Sequence, residues 1–278
     1  MPSRIARGSA ARLRVELEDP DGEDLAGDVT VEVRDSLGIL LAGGDADELG
    51  EGAYAFDLDA ENTATIDRLT ATWSSEDAVA GRSEHDVVGG HFHTIKALRR
   101  MDPLEDADKY PTEQLLECRD LAAYALEEAC HVAFVERFAT WSAIADGGAF
   151  LIPRIGIREI RWATIAGESV DLETLSLATG GAVHGLELPE GSLVEVGFTF
   201  SLTEAPPARV ARAARLIARE VAFEDEDAAL SPRATSQSTD DGTFSLVTAG
   251  VAGAAFDLPE VNAVVSEYQA GYGAIARG

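Results

Sequence analysis

The chain of 278 residues is strongly acidic: 50 Asp and Glu residues outnumber 22 Lys and Arg residues, and the formal net charge is -28. This charge repels nucleic-acid phosphates and anionic lipids, which argues against tight binding to either. Apolar residues make up 46% of the sequence, enough to bury a core in each of two ordinary domains. The sequence has no run of about 18 apolar residues and no apolar signal core near its start, so it predicts neither a membrane span nor a secretion signal.

Residues 11 to 93 are dominated by alternation of apolar and polar residues. Turn-forming sequences around Gly22, Gly38 and Gly52 divide them into the segments RLRVELE, VTVEVRD, AYAFDLD, RLTATWS and HDVVGGHFH. Because side chains alternate between the two faces of a strand, each segment has one apolar face, as in two packed sheets. We therefore predict an immunoglobulin-like β-sandwich over residues 1–95. Residues 96–109 mix charges with a proline and lack sustained periodicity, which predicts a linker.

Residues 110–278 are predicted to form a second domain in which helices flank β structure. A helix start at Pro111 and Thr112 is followed by apolar residues at helical spacing, namely Leu115, Cys118, Ala122, Ala125 and Ala129. Strands with reversals at Ala166-Gly167 and Glu190-Gly191 then form a β-hairpin insertion. Pro206-Pro207 starts a helix over residues 208–223, residues 231–242 are a polar loop before a short strand, and Pro259 starts a last helix. The predicted fold class is α+β.

Both cysteines fall on the first predicted helix of this second domain. Cys118 and Cys130 are twelve residues apart, roughly 18 Å along a helix axis, which is too far for a disulfide. His131 follows Cys130 directly, and neighbouring residues on a helix do not face each other, so no Cys-His nucleophile is assembled. We expect the cysteines to pack as small apolar side chains, while Glu117, Arg119, Asp120, Glu127 and Glu128 face solvent or a neighbouring subunit.

Two other groups of residues could hold a metal ion. His85, His91 and His93 lie close in sequence, and a His-x-His pair on a strand places both rings on one face, as zinc requires. Gly89-Gly90 leaves the register open, and locally bonded histidines are the alternative. The acidic residues 19–28 resemble a calcium loop, but Gly22 comes too early for the EF-hand order, which favours a plain turn. We predict no catalytic residue, no cofactor and no metal.

Cations gather on one face of the helix over residues 208–223, opposite its apolar face. This face contains Arg209, Arg212, Arg215 and Arg219. It is either a solvated face balanced by nearby carboxylates such as Glu220 and Glu224, or an interface with an acidic neighbouring subunit. On the last helix, one side contains Val261, Val264, Val265 and Tyr268. We predict these eight residues as an interface with a partner protein or another copy.

Six segments of the second domain carry a resemblance to a known family. In chain order they are YPTEQLLECRDLAAYALEEACHVAFVERFAT, FLIPRIGIREIRWATIAG, LVEVGFTFSL, EAPPARVARAARLIAREV, SPRATSQSTDDGTFSLVTAG and DLPEVNAVVSEYQAGYG. In this order they resemble the head-to-tail adaptor, or connector, proteins of long-tailed phages and related viruses, over about residues 108–278. None of the segments is a chemical motif, and the resemblance lies in their order. It departs from the family in the β-sandwich at the amino terminus and in the long β insertion, since smaller family members are mainly helical.

The resemblance implies a structural role at the head-tail junction of a virion, for a protein made in the host cytoplasm. Adaptors form a homo-oligomeric ring, usually of twelve copies, beneath the portal protein and next to a stopper or tail-completion protein. Genomic DNA would pass through the ring without sequence-specific contact, and no membrane is involved. We expect residues 110–278 to be the helical adaptor domain, and residues 231–242 and the last helix to dock on the portal. Removal of residues 257–278 should then abolish portal binding and leave the monomer folded.

Three other interpretations remain open from the sequence. The chain could be a tail or surface module whose sandwich binds a glycan or a receptor. It could be an enzyme that uses acidic residues or a histidine-bound metal, although the sequence assembles no such group. It could also be another neck component, such as a stopper.

Overall fold

The structure is a computed structural model that describes residues 2–19, 21–76, 78–145, 150–178, 180–185, 188–224, 236–239, 242–245 and 256–272. Its contacts divide the chain into two compact units. The first unit contains residues 1–91 and 135–205, and the second contains residues 92–134 and 206–278. Strands and helices occur in separate stretches of the chain, so the fold class is α+β.

The described part of the first unit contains fifteen strands in chain order. They are β1 (Ser3–Ala6), β2 (Ala11–Glu16), β3 (Val29–Arg34), β4 (Leu40–Asp45), β5 (Asp47–Gly50), β6 (Ala53–Leu58), β7 (Arg68–Ser75), β8 (Ala78–Val88), β9 (Arg137–Ile144), β10 (Phe150–Leu151), β11 (Ile157–Ile165), β12 (Glu168–Ser169), β13 (Ser176–Leu177), β14 (Ala182–His184) and β15 (Leu193–Phe200). Two short 3-10 helices, Ala60–Thr63 and Leu172–Thr174, lie between them.

Residues 1–91 form two sheets that share one core. Five strands have the order β1-β8-β7-β3-β4, with β1 parallel to β8, and three have the order β2-β6-β5. Val31 and Trp73 from the first sheet pack with Leu13 and Tyr54 from the second, as the alternation predicts. Tyr54 is fixed in this core because its hydroxyl donates to the carbonyl oxygen of Leu25 at 3.0 Å.

The predicted reversal at Glu51-Gly52 joins β5 to β6. Both residues have positive φ values, 53° and 70°, which suit a tight hairpin turn between twisted strands. A Cβ atom on Gly52 would lie 2.6 Å from the carbonyl oxygen of Leu17, so this position requires glycine.

Residues 135–205 form more than the predicted hairpin insertion. Four strands have the order β12-β11-β15-β9, and three short strands have the order β10-β14-β13. Val194, Val196 and Phe198 of β15 are buried in one core with Phe150 and Val183 of the smaller sheet. The apolar face of β15 thus needs a second layer, which a single hairpin does not supply. The predicted reversal at Glu190-Gly191 lies between β14 and β15 in the chain, but β15 pairs with β9 and β11 and not with β14.

Among its described residues, the second unit contains four helices, α1 (Ile95–Leu98), α2 (Thr112–Cys130), α3 (Ala208–Glu224) and α4 (Pro259–Tyr272). Helix α2 contacts α1, α3 and α4, and its buried residues include Leu115, Cys118 and Ala122. Small residues on α3, including Ala213 and Ala214, are fully buried and allow close helix packing. The last three helices begin where the sequence predicts them.

Two short strands also belong to this unit. Strand β16 (Ser236–Thr239) lies within the predicted polar loop, and it pairs antiparallel with β17 (Gly242–Ser245). Strand β17 overlaps the short strand that the sequence predicts over residues 244–247, of which residues 246 and 247 lie outside the described residues, as does the rest of the loop.

The predicted linker, residues 96–109, is part of the helical unit. Leu98 and Leu104 are completely buried there. Arg99 donates from its guanidinium to the carbonyl oxygens of Leu104 at 3.2 Å and Tyr110 at 3.0 Å. It also donates to the Thr112 hydroxyl at 3.0 Å, which ties this segment to the start of α2. The segment has few apolar residues, but its two leucines are completely buried, so it packs with the helices.

Candidate assembly surface

The predicted Arg face of α3 lies against acidic residues of the same chain. Arg209 forms an ion pair with Glu267 of α4, and the Arg212 Nε atom lies 2.7 Å from a carboxylate oxygen of Glu260. All four side chains are about half exposed or more. Exposed ion pairs contribute only about 0 to 1 kcal/mol each to the free energy of unfolding. These two pairs therefore orient α4 but add little stability. These pairs match the predicted face balanced by nearby carboxylates, and the predicted interface with a neighbouring subunit stays a prediction.

Arg219 has a structural position. Its Nε atom donates to the carbonyl oxygen of Asp102 at 2.9 Å, and its Nη1 atom lies 3.0 Å from Glu220. Its guanidinium carbon is 4.7 Å from the ring centre of Phe223, within cation-π range. Arg219 therefore links α3 to the segment before α2, and three contacts fix its guanidinium.

Arg215 differs from the other three arginines. It is partly buried and has no hydrogen bond or ion pair with any other residue that the structure describes. His93 is nearby and buried, and burial first, then Arg119 and Arg215, lowers its pKa to about 4. His93 is thus neutral near pH 7, and its ring nitrogens bond no other described residue. Of the four arginines, Arg215 is therefore the one whose guanidinium bonds no carboxylate that the structure describes.

The predicted interface valines of α4 are not on the surface. Val261, Val264 and Val265 are 0%, 2% and 3% exposed, and α4 contacts both α2 and α3. The Tyr268 ring is partly buried and meets the Phe134 ring edge-on, with 4.7 Å between centres. The predicted apolar stripe on α4 is present, but helices α2 and α3 of the same chain cover it. Removal of residues 257–278 would therefore take away core residues, so we expect the truncation to destabilise the helical unit and not to leave the monomer folded as the sequence predicts.

Helix α2 buries polar residues that the sequence placed in solvent. Arg119, Asp120 and Glu127 are each less than 9% exposed, because α2 is covered on several sides by other helices. The Arg119 Nε atom lies 2.9 Å from Asp120 Oδ1, and Glu127 accepts a hydrogen bond from the backbone N–H of Phe134 at 2.8 Å. An acidic residue in the last turn of a helix interacts unfavourably with the helix dipole. The position of Glu127 in that turn therefore indicates from the sequence that its carboxylate has a specific partner.

The cysteines are buried and form no disulfide with each other, as predicted. Burial, with a smaller contribution from Glu127, raises the pKa of Cys130 to about 12. A thiol with this pKa remains protonated near neutral pH and is a poor nucleophile. His131 ends α2 in a left-handed conformation with φ 57° and is exposed.

The three histidines do not form a metal site. His85 is buried in β8, where its Nδ1 atom lies 2.6 Å from the Ser3 hydroxyl and its Nε2 atom 2.9 Å from the Ser83 hydroxyl. Burial lowers the pKa of His85 to about 4, although Asp86 opposes the shift. Strand β8 ends at Val88, so His91 and His93 are not on a strand. Among the described residues no group of three His, Cys, Asp or Glu side chains could hold a metal ion.

A small cleft in the first unit has a mixed polar and aromatic lining. Its volume is about 200 Å³, and its lining includes Asp35, Asp67, Arg161 and Trp162. The Trp162 indole donates to the Ser36 hydroxyl at 3.2 Å, and burial raises the pKa of Asp67. Pockets for drug-sized ligands have volumes of about 300 to 1,000 Å³, so this cleft suits a smaller group.

Exposed apolar residues at one edge of the first unit were missed by the sequence reasoning. Trp141 and Ile144 of β9 and Leu193 of β15 are 39%, 64% and 43% exposed. The charge-free run from Phe138 to Ile144, in so acidic a chain, is the signal that could have identified this edge. In the described part of the chain, no helix is both long and apolar enough to cross a membrane.

Comparison with known proteins finds similar chains among solved structures, including two from gene transfer agent particles. No protein-family model and no curated protein matches the chain. A chain from the virion of a native gene transfer agent particle is 15% identical, over 57% of this chain and 77% of that chain, with a TM-score of 0.37. A chain from the neck of an empty gene transfer agent particle is 20% identical, over 41% of this chain and 67% of that chain, with a TM-score of 0.33.

Proposed function

We propose that this protein is a structural protein of the neck of a tailed virus or phage-like particle. Its role is that of a head-to-tail adaptor, whose copies form a ring of twelve beneath the portal. The ring joins the capsid to a stopper or tail-completion protein and continues the channel for the genome. No catalysis is part of this role, and residues 1–91 are an immunoglobulin-like accessory element.

One observation carries the proposal. Three of the segments that resemble adaptors fold as α2, α3 and α4, and these helices pack in one unit although long stretches of chain separate them. The β insertion at residues 135–205 belongs to the other unit. Without the insertion, the second unit is mainly helical, as the smaller adaptors are. We therefore interpret residues 135–205 as an addition to an adaptor core.

The Arg face of α3 supplies the proposed contact with an acidic neighbour. Arg215 has no partner among the described residues, and the exposed pairs of Arg209 and Arg212 are weak enough to be exchanged for carboxylates of a neighbouring chain. A neighbouring copy is rich in such groups, because each chain has 50 Asp and Glu residues.

The net charge of -28 fits a channel wall. A ring of such chains repels DNA phosphates, so the genome slides past without being held. The same repulsion works against closing a ring of many free copies, so ring assembly on a portal template, with added contacts, fits better than ring assembly of the free protein.

The proposal is tested by mixing the full-length protein with its portal and imaging the product by electron microscopy. Arg215→Glu is expected to abolish rings on the portal, because the substituted side chain repels an incoming carboxylate. Arg100→Glu is the matched control, since Arg100 is an exposed arginine of the same unit with no partner among the described residues. Absence of the protein from the neck of purified particles would reject the proposal.

A further inference from the structure

Strand β9 forms one edge of the four-stranded sheet. In the order β12-β11-β15-β9 it pairs with β15 on one side, in continuous register from Arg137 opposite Phe200 to Ile144 opposite Leu193. Among the described strands, none pairs with its other side.

The hydrogen bond of Ala145, the residue after β9, shows which backbone groups of the strand point away from β15. Ala145 N–H donates to the carbonyl oxygen of Ser192 at 2.8 Å, so odd-numbered residues of this segment bond to β15. Thr140, Ser142 and Ile144 therefore point their N–H and C=O groups away from β15. At the start of the strand, the carbonyl oxygen of Glu136 already accepts from Gly89 N–H at 2.8 Å. The open edge is thus residues 140–144.

This edge lacks the features that normally protect an edge strand. Such strands commonly contain charges, prolines or bulges that prevent pairing with another chain. Residues 138–144, FATWSAI, contain no charge, no proline and no glycine, and the β9 register has no irregularity. By contrast, β11 contains Arg158, Glu159 and Arg161 and two register irregularities.

Apolar side chains lie beside the open edge. Ile144 and Leu193 are opposite each other in the register and therefore share a face of the sheet, and both are exposed. Trp141 lies on the other face of the strand and is also exposed at the edge.

We propose that β9 pairs antiparallel with β9 of a second copy, so that one sheet continues across two chains. Two chains of net charge -28 repel each other, so a contact between copies needs a surface without charged side chains, and residues 138–144 supply one. The edge is also self-complementary. Pairing centred on Ser142 sets Thr140 opposite Ile144, so each outward-facing residue meets another outward-facing residue.

This contact goes beyond the proposed adaptor function and does not depend on it. It joins copies two by two about a twofold axis, whereas a closed ring needs a head-to-tail contact on a different surface. Evidence against the β9 contact is therefore no evidence against the proposed adaptor function, and the reverse also holds.

The test is sedimentation of the full-length protein over a range of concentrations. The wild type is expected to form a reversible dimer. Ile144→Lys and Ser142→Pro should each weaken the dimer at least tenfold, and the proline removes only an outward N–H group, which an edge strand tolerates. Val79→Lys is the matched control, since Val79 is an exposed apolar strand residue with similar exposure, 59% against 64%, and should dimerise like the wild type.

A second readout locates the contact. Amide hydrogen exchange at Thr140, Ser142 and Ile144 should slow as the dimer forms, while exchange at exposed amides elsewhere stays unchanged. A wild type that sediments as a monomer at every concentration overturns the inference, as do Ile144→Lys dimers as stable as those of the wild type. Either result leaves the portal experiment above unaffected.

Discussion

Substitution of Val264 by alanine tests the conclusion that α4 is part of the core of the helical unit. Val264 is 2% exposed, and α4 contacts α2 and α3. The substitution removes two buried carbon atoms, which costs about 1.6 kcal/mol at roughly 0.8 kcal/mol each, and the cavity raises the loss to about 2 kcal/mol. Ser266→Ala is the matched control, because Ser266 is exposed on the same helix and its change should stay within about 0.5 kcal/mol.

The two units can be followed separately in one urea titration. All three tryptophans, Trp73, Trp141 and Trp162, belong to the first unit, whereas the four described helices belong to the second. Tryptophan fluorescence thus reports the first unit, and circular dichroism at 222 nm mainly reports the second. With a urea dependence of about 2 kcal/mol per M, Val264→Ala should lower the dichroism midpoint by about 1 M.

The fluorescence midpoint should not move in the same experiment. A Val264→Ala protein with the wild-type dichroism midpoint would show that α4 does not stabilise the helical unit. That result would restore the valines as candidates for a surface that binds the portal. It would also restore the expectation that a chain truncated before residue 257 stays folded.

Three further predictions follow from single contacts. Arg99→Ala should lower the dichroism midpoint by an amount equivalent to about 2 to 4 kcal/mol, because three hydrogen bonds are lost, whereas Arg100→Ala should leave it unchanged. Gly197→Ala should lower the fluorescence midpoint, since a Cβ atom there would lie 2.3 Å from an indole ring, whereas Gly90→Ala meets nothing within 4 Å and should be tolerated. The folded-state pKa of His85, about 4, is below its ordinary 6.5, so between these pH values the unfolded chain binds a proton that the folded chain does not. The contribution of His85 to the stability of the first unit should therefore be fully present above pH 6.5 and be lost at about 1.4 kcal/mol per pH unit toward pH 4, and His85→Gln should remove this contribution to the pH dependence in fluorescence-monitored unfolding.

Local patterns predicted the elements whose partners are close in sequence or whose periodicity is strong. The valines of β3 alternate over a full strand, and α2 has both a start signal and an apolar stripe, so both were located within a residue or two. Strand β1 was missed because its four residues have no repeat and pair in parallel with β8, 82 residues away. The strands of two or three residues in the insertion are too short to show a period.

The candidate surface was predicted less well, because periodicity identifies an apolar face without identifying what covers it. The stripe on α4 is real, but α2 and α3 cover it. The charges of Arg119 and Asp120 predicted exposure, yet the pair neutralises itself and is buried. The apparent linker was judged by its charges, while Arg99 satisfies backbone carbonyls that no sequence pattern displays.

The acidity of the chain connects the two proposed contacts. Repulsion between copies of charge -28 weakens at high salt, because the Debye length falls from about 10 Å at 0.1 M to about 3 Å at 1 M. A β9 contact without charges should therefore strengthen as salt is added, since only the long-range repulsion is screened. A contact between Arg215 and a neighbouring carboxylate loses its own attraction to the same screening, so a rise of salt should favour β9 pairing relative to the α3 contact.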